Sequence, residues 1–255
     1  EYPSYLPDYG LIESVAAMFA GLTNKFGRHY RVVRIPAPSR SDGTYATSLN
    51  GEMRTYTNSL IVNDMVVLPV YNHPYDTVAK QIYEKSLPGY TVIPVDARTL
   101  TPNYGAIHCI TDHVGHKSYL RILHPKITGG QAFTPDISFY CETESNLIPD
   151  SILLYYRILP DTSFVSYPMY PSCPGNTVTL TNFQITDTVE YFIRAVSSGF
   201  AAKVPLTAPE HPYTFWFDPV TRIDDMTGNV GSSKVTVWPN PNNGVFRVTV
   251  LGLEC

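Results

Sequence analysis

The chain has 255 residues, 44% of them hydrophobic and only 16% charged, and its net charge is −4. That length fits about two domains, each apolar enough for a core, while the negative balance without a Lys/Arg cluster argues against nucleic acid as a partner. No apolar run approaches the ~20 residues of a membrane-spanning helix, and the abundance of Tyr (19), Pro (22) and Gly (16) suits strand- and loop-rich extracellular domains better than helix bundles.

The start, Glu1-Tyr2-Pro3-Ser4, is neither an initiator methionine nor a signal peptide. Residues 11–26 carry Leu11, Val15, Met18, Phe19 and Leu22 at helical spacing, with Gly27 as the stop. A strand over 30–35 is ended by Pro36 and Pro38, and a polar loop covers 39–51. Two apolar runs, 56–62 and 65–71, flank Asn63-Asp64 as a hairpin turn. Asp76 caps a helix over 77–86 with Val78, Ile82 and Tyr83 on one side, closed by Pro88-Gly89. A strand over 90–95 and a last one holding Cys109 complete a ββαβ unit.

From about Lys126 helical periodicity gives way to short β-rich runs: 137–142, 151–158, 176–183, 189–196 and 213–217. Turn residues at regular intervals between them are the pattern of a β-sandwich. Cys141 and Cys173 fall inside it: bridged, they would contribute roughly 3–4 kcal/mol on the loop-entropy model; otherwise they are two free cysteines. Residues 219–234 are rich in Asp, Thr, Gly, Asn and Ser and read as a linker. Beyond it, Trp238-Pro239-Asn240-Pro241 precedes Gly244 and the alternating run 245–250, a rigid turn before an edge strand. The chain stops at Cys255 directly after that run, so both ends are expected to be cuts through a longer protein.

The most informative segment is Tyr104-Gly105-Ala106-Ile107-His108-Cys109-Ile110-Thr111. A small glycine-containing turn leading into an apolar strand presents one thiol where turn meets sheet. Such a position holds a nucleophile rigidly with its sulfur open to a small ligand; the bland alternative is a buried structural cysteine. Strand alternation would send His108 to the opposite face from Cys109. His113 and His116 lie just beyond, near a pocket rim.

This segment resembles the active-site cysteine motif of the bacterial, Porphyromonas-type peptidyl-arginine deiminase and agmatine deiminase family. The similarity extends over about residues 5–124, through Gly27-Arg28, Ile35-Pro36-Ala37-Pro38, Tyr56-Thr57-Asn58-Ser59-Leu60-Ile61-Val62-Asn63, Val67-Leu68-Pro69-Val70-Tyr71, Leu87-Pro88-Gly89 and Val95-Asp96-Ala97-Arg98. It implies an α+β chain. Residues 1–126 would then be the C-terminal part of a pentein α/β-propeller of ββαβ modules, ahead of the all-β, Ig-like sandwich expected over 127–218 from its strand pattern. A linker over 219–234 then leads to a truncated β tail, 235–255, whose Pro-Asn-Pro turn resembles the opening of the type IX secretion sorting domain of Bacteroidetes.

The family's chemistry implies the roles. Cys109 is the nucleophile and adds to a guanidinium carbon. Asn58, in the segment similar to the family's Tyr-x-Asn, is the candidate active-site amide, with a strand-end Asn as its plain alternative. Asp96 and Arg98 belong to the pattern but read as a local pair. The family's His-x-Asp or His-x-Glu pair and a further acid lie upstream of the matched region. None of the seven histidines here is followed two residues later by an acid. The chain alone is therefore expected to be inactive. The lead-in Pro102-Asn103-Tyr104-Gly105-Ala106 and the follow-on Asp112-His113 depart from the glycine run and Gln-Gln of many agmatine-type members.

Three readings result: a secreted or surface-attached deiminase of arginine in peptides or proteins, using the type IX machinery; an agmatine deiminase; and a non-catalytic secreted β-rich binding protein. No cofactor is expected, and no metal, since the four cysteines lack the close pairing of zinc sites.

Overall fold

The computed structural model describes residues 3–47, 52–103, 105–112, 115, 117–218, 234–239 and 246–251. The chain forms two compact units, residues 1–117 and 118–255.

In the first unit, helix α1 (Tyr9–Gly21) is followed in chain order by strands β1 (Leu60–Val62) and β2 (Met65–Val70), helix α2 (Tyr75–Ser86) and strand β3 (Thr91–Asp96). The sheet order is β1-β2-β3. The β1–β2 pair is antiparallel with Val62 opposite Met65, so Asn63-Asp64 is the whole turn. Asn63 takes φ 51°, a conformation that asparagine tolerates better than most residues. α2 makes the crossover that a parallel β2–β3 pair requires, and Met65 lies opposite Thr91 in that pair. Strand, strand, helix, strand is the order read from the sequence.

Val66 and Leu68 of β2, Val92 of β3, Ala79 of α2, Tyr56, Tyr71, Ala97 and Ala106 make one core. The inward face of α2 is Asp76, Ala79 and Tyr83, spaced i, i+3, i+7, rather than the Val78 stripe; Val78 is 40% exposed. Asp76 sits inside the first turn, not at the cap, which is Pro74. Its carboxylate accepts the backbone N–H groups of Tyr71 (3.1 Å) and His73 (2.9 Å), tying the helix start to the end of β2.

Three expectations change here. α1 ends at Gly21 rather than near Gly27, and its apolar stripe faces outward, Leu11 being 66% exposed and no α1 residue buried. Gly27, at φ 75°, closes a separate tight turn, in which the Asn24 side chain accepts the N–H of Phe26 and of Arg28. Residues 30–35 form no strand and no ladder; the nearest pairing is the isolated bridge Thr23–His29. A β-prone run without a partner strand gains no hydrogen bonds from being one. The Cys109 strand is instead a single 3₁₀ turn, His108–Ile110.

The second unit begins earlier than 127. Strand β4 (Leu120–Leu123) pairs with β6 (Ile137–Ser145), with β5 (Gly129–Ala132) between them in sequence. Next come β7 (Ser151–Ile158), β8 (Val165–Pro168), β9 (Tyr170–Ser172), β10 (Gly175–Leu180), β11 (Thr188–Ser197), β12 (Phe200–Val204) and β13 (Tyr213–Asp218). They form two sheets, β4-β6-β10-β9 and β5-β13-β11-β7-β8, with β12 added to β11. Alternate residues of both sheets meet in one core: Phe139 and Cys141 of β6 and Val178 of β10 against Leu154 of β7, Tyr191 and Ile193 of β11 and Phe215 of β13.

The Cys141–Cys173 bridge is not formed. Cys141 points into this core, its sulfur 3.8 Å from the Met169 Sδ, and burial pushes its thiol up to about 12. Cys173 sits exposed in the β9–β10 turn. Strands β14 (Lys234–Pro239) and β15 (Phe246–Leu251) pair as an antiparallel hairpin. The rest of the predicted linker, 219–233, and residues 240–245, where the sequence predicts a turn, lie outside the described residues. Among the described residues no helix is long and apolar enough to cross a membrane.

Candidate active site

The segment 105–111 is anchored by its apolar residues and opened by its polar ones. Ala106 and Ile107 are buried, whereas His108, Cys109 and Ile110 are exposed. The turn is closed by the Ile110 N–H on the Ile107 carbonyl (3.3 Å) and the Thr111 N–H on the His108 carbonyl (3.3 Å), and the Thr111 hydroxyl donates to that same carbonyl at 3.0 Å. The sulfur of Cys109 is therefore not walled in by apolar neighbours.

Asn58 lies directly against this turn. Its Oδ1 accepts the backbone N–H of His108 (3.0 Å) and of Cys109 (3.4 Å), and its Nδ2 donates to Cys109 Sγ at 3.0 Å. The His108 N–H also reaches the Asn58 carbonyl at 3.2 Å. Backbone N–H groups only donate, so the amide oxygen must face them and the NH₂ must face the sulfur. This side chain explains why the run 107–111 is not a strand: the N–H groups that a ladder would use are captured by an asparagine. With no strand there is no alternation to send His108 to the opposite face from Cys109, and both residues are exposed.

Gly105 completes the geometry. A Cβ added there would sit 2.6 Å from Cys109 Cβ and 3.0 Å from Sγ, so only glycine lets the chain pass so close beneath the thiol.

Asp96 and Arg98 make the local ion pair, 2.7 Å apart and exposed. The Arg98 side chain holds the Asp96 carboxyl at about 2. Tyr104, His113 and His116 lie outside the described residues. Among the described residues no three His, Cys, Asp or Glu side chains gather as a metal site.

Sequence reasoning missed what holds Asn58. The Tyr71 hydroxyl donates to the Thr55 carbonyl (2.8 Å) and accepts the Thr55 N–H (3.2 Å). The Tyr56 hydroxyl donates to Asp76 at 2.7 Å, and Tyr83 bonds both Ser59 Oγ (2.7 Å) and the Tyr56 carbonyl (3.1 Å). Burial raises Tyr56, Tyr71 and Tyr83 above the ordinary phenol value, Tyr71 to about 12. The signal available in the sequence was the Asp76–Ala79–Tyr83 spacing.

Residues 5–114 match the Porphyromonas-type peptidyl-arginine deiminase family. A Streptomyces avermitilis protein named as an agmatine deiminase is 36% identical over 107 residues, covering 41% of this chain and 29% of its own. Its namesake in Streptomyces coelicolor is also 36% identical, over 41% of this chain and 30% of that one. A crystal structure from Porphyromonas gingivalis, named as an arginine deiminase, is 30% identical, covering 43% of this chain and 31% of that chain, with a TM-score of 0.35. The chain spans about a third of the length of these curated relatives. Cys109, Asn58 and Gly105 all fall inside the matched residues 5–114.

Proposed function

We propose that this chain is part of a deiminase that converts arginine residues in peptides or proteins to citrulline and ammonia, with Cys109 as the nucleophile. The observation that carries the reading is the exposed Cys109 sulfur held by the Asn58 amide on a turn that Gly105 makes possible. A guanidinium is delocalised and resists attack by water. A thiolate adds to its central carbon, forming the C–S bond; one nitrogen leaves as ammonia after taking a proton, giving a thiouronium. Water then adds to that carbon and the sulfur departs, leaving the ureido product. Asn58 keeps the sulfur aimed by donating to it, a bond that a thiolate accepts better than a thiol. The cation-gripping carboxylates and the proton-shuttling histidine that the resemblance implies belong upstream of the matched region.

A second reading, agmatine as substrate, is favoured by the names of the Streptomyces relatives. Support for a peptide substrate comes from the matching family's description and from the attached β-rich unit, which a small polyamine precursor does not require. We read that unit as Ig-like: the sheets β4-β6-β10-β9 and β5-β13-β11-β7-β8 contain the ABED and CFG orders of an immunoglobulin-type sandwich, with β8 added beside β7 and β5 beside β13. Export through type IX machinery, to the medium or the cell surface, is supported by the sequence Pro239-Asn240-Pro241. A non-catalytic binding role is the alternative if the complete protein turns nothing over.

The test is product release by the protein expressed from its complete gene, offered an arginyl peptide and agmatine in parallel. Citrulline formation with agmatine left intact supports the proposal. Turnover of agmatine alone replaces it with the second reading, and no turnover of either removes the enzymatic account.

A further inference from the structure

We propose that Tyr83 is a positioning residue for Cys109, acting through the segment that carries Asn58; its catalytic consequence rests on the deiminase reading above. Residues 55–59 precede β1, which starts only at Leu60, so no ladder fixes where Asn58 sits. Its location is instead set by side-chain hydroxyls, and α2 supplies the anchors from one face.

Asp76 and Tyr83 are two helical turns apart with Ala79 between them, and Ala79 is fully buried. Its small side chain leaves room for residues 56–59 to lie against the helix. Asp76 takes the Tyr56 hydroxyl at 2.7 Å. Tyr83 takes the other end of the segment and has one proton to give. A carbonyl only accepts, so that proton goes to the Tyr56 carbonyl, 3.1 Å away, and the Ser59 hydroxyl must donate to Tyr83 at 2.7 Å. One phenol oxygen thus clasps the chain two residues before Asn58 and one residue after it. The amide of Asn58 then reaches His108 N–H, Cys109 N–H and Cys109 Sγ together. Removing the Tyr83 hydroxyl opens the clasp while leaving Asn58, Cys109 and the sheet untouched in sequence.

The test uses the ¹⁵N-labelled 255-residue chain and reads the Asn58 side-chain amide resonances, identified by their loss in Asn58→Ala. Removing the sulfur with Cys109→Ala is expected to move these signals. The expected result is that Tyr83→Phe moves them toward free asparagine although Cys109 is present, and Ser59→Ala does so to a smaller extent. An exposed-tyrosine control, Tyr170→Phe, leaves them in place. If Tyr83→Phe does not fold, the Ser59→Ala result decides. Asn58 signals unchanged in Ser59→Ala, or in a folded Tyr83→Phe, overturn the proposal. In the protein from the complete gene, Tyr83→Phe is expected to lower kcat about tenfold with KM within twofold; equal loss in both would mark general damage and count against positioning. A wild-type protein without deimination would remove the proposed function yet leave the resonance result standing.

Discussion

Replacing Gly105 with alanine perturbs the site through a single methyl group. The added Cβ meets Cys109 Cβ at 2.6 Å and Sγ at 3.0 Å, while ordinary contacts begin near 3.4 Å. The two carbons must therefore part by at least about 0.8 Å, and neither is the far end of a flexible side chain that could swing aside. Asn58 reaches Cys109 Sγ at 3.0 Å and the Cys109 N–H at 3.4 Å, so a shift of that size breaks the sulfur contact and the weaker backbone bond together. Overpacking of this kind costs roughly 1–3 kcal/mol, and misplacing a reacting group by about 1 Å costs about 100-fold in rate. The assay is kcat of the complete protein, with thermal unfolding measured alongside. The control is Gly10→Ala, where an added Cβ meets nothing within 4 Å; inside a helix it should be neutral or stabilising by about 0.5–1 kcal/mol. Full activity and an unchanged unfolding temperature in Gly105→Ala would refute the close approach and the reasoning built on it.

Asn58→Ala removes the donor to sulfur and the acceptor for two backbone N–H groups. Because the turn is exposed and water replaces the lost bonds, stability should fall by only about 1 kcal/mol while kcat falls at least 100-fold; a parallel loss of both, read by kinetics and calorimetry, would make Asn58 merely structural. Alkaline pH should loosen the first unit. Tyr71 is raised by burial to about 12, so below pH 10 its phenol is neutral in both states. Above that only the unfolded chain ionises, and stability is lost as pH climbs from 10 toward 12. Tyr71→Phe should flatten that decline, by on the order of 2 kcal/mol at the top of the window, in denaturant titrations at stepped pH; an unchanged slope would show that Tyr71 is not the group responsible.

The ββαβ core was legible because its signals are local. Asn63-Asp64 between apolar runs dictates a hairpin, and Pro88-Gly89 ends a helix whatever surrounds it. The Cys109 turn was not legible, because Ile107-His108-Cys109-Ile110-Thr111 is β-prone by composition and becomes a 3₁₀ turn only through Asn58, fifty residues earlier. The 30–35 strand failed for a related reason, since propensity cannot supply a partner. Cys109 and Asn58 could be singled out from motif resemblance, but their hydrogen bond, and the tyrosines behind it, depend on long-range packing.

The most direct test of the central claim is the rate of guanidinium hydrolysis by the complete protein with Cys109→Ser, measured as ureido product and ammonia from an arginyl peptide. An alcohol is far less ionised than a thiol at neutral pH, so the rate should fall by at least about 1000-fold while the fold is kept. A variant that deiminates at the wild-type rate would show that another group attacks the guanidinium, and that the sulfur held by Asn58 is a bystander.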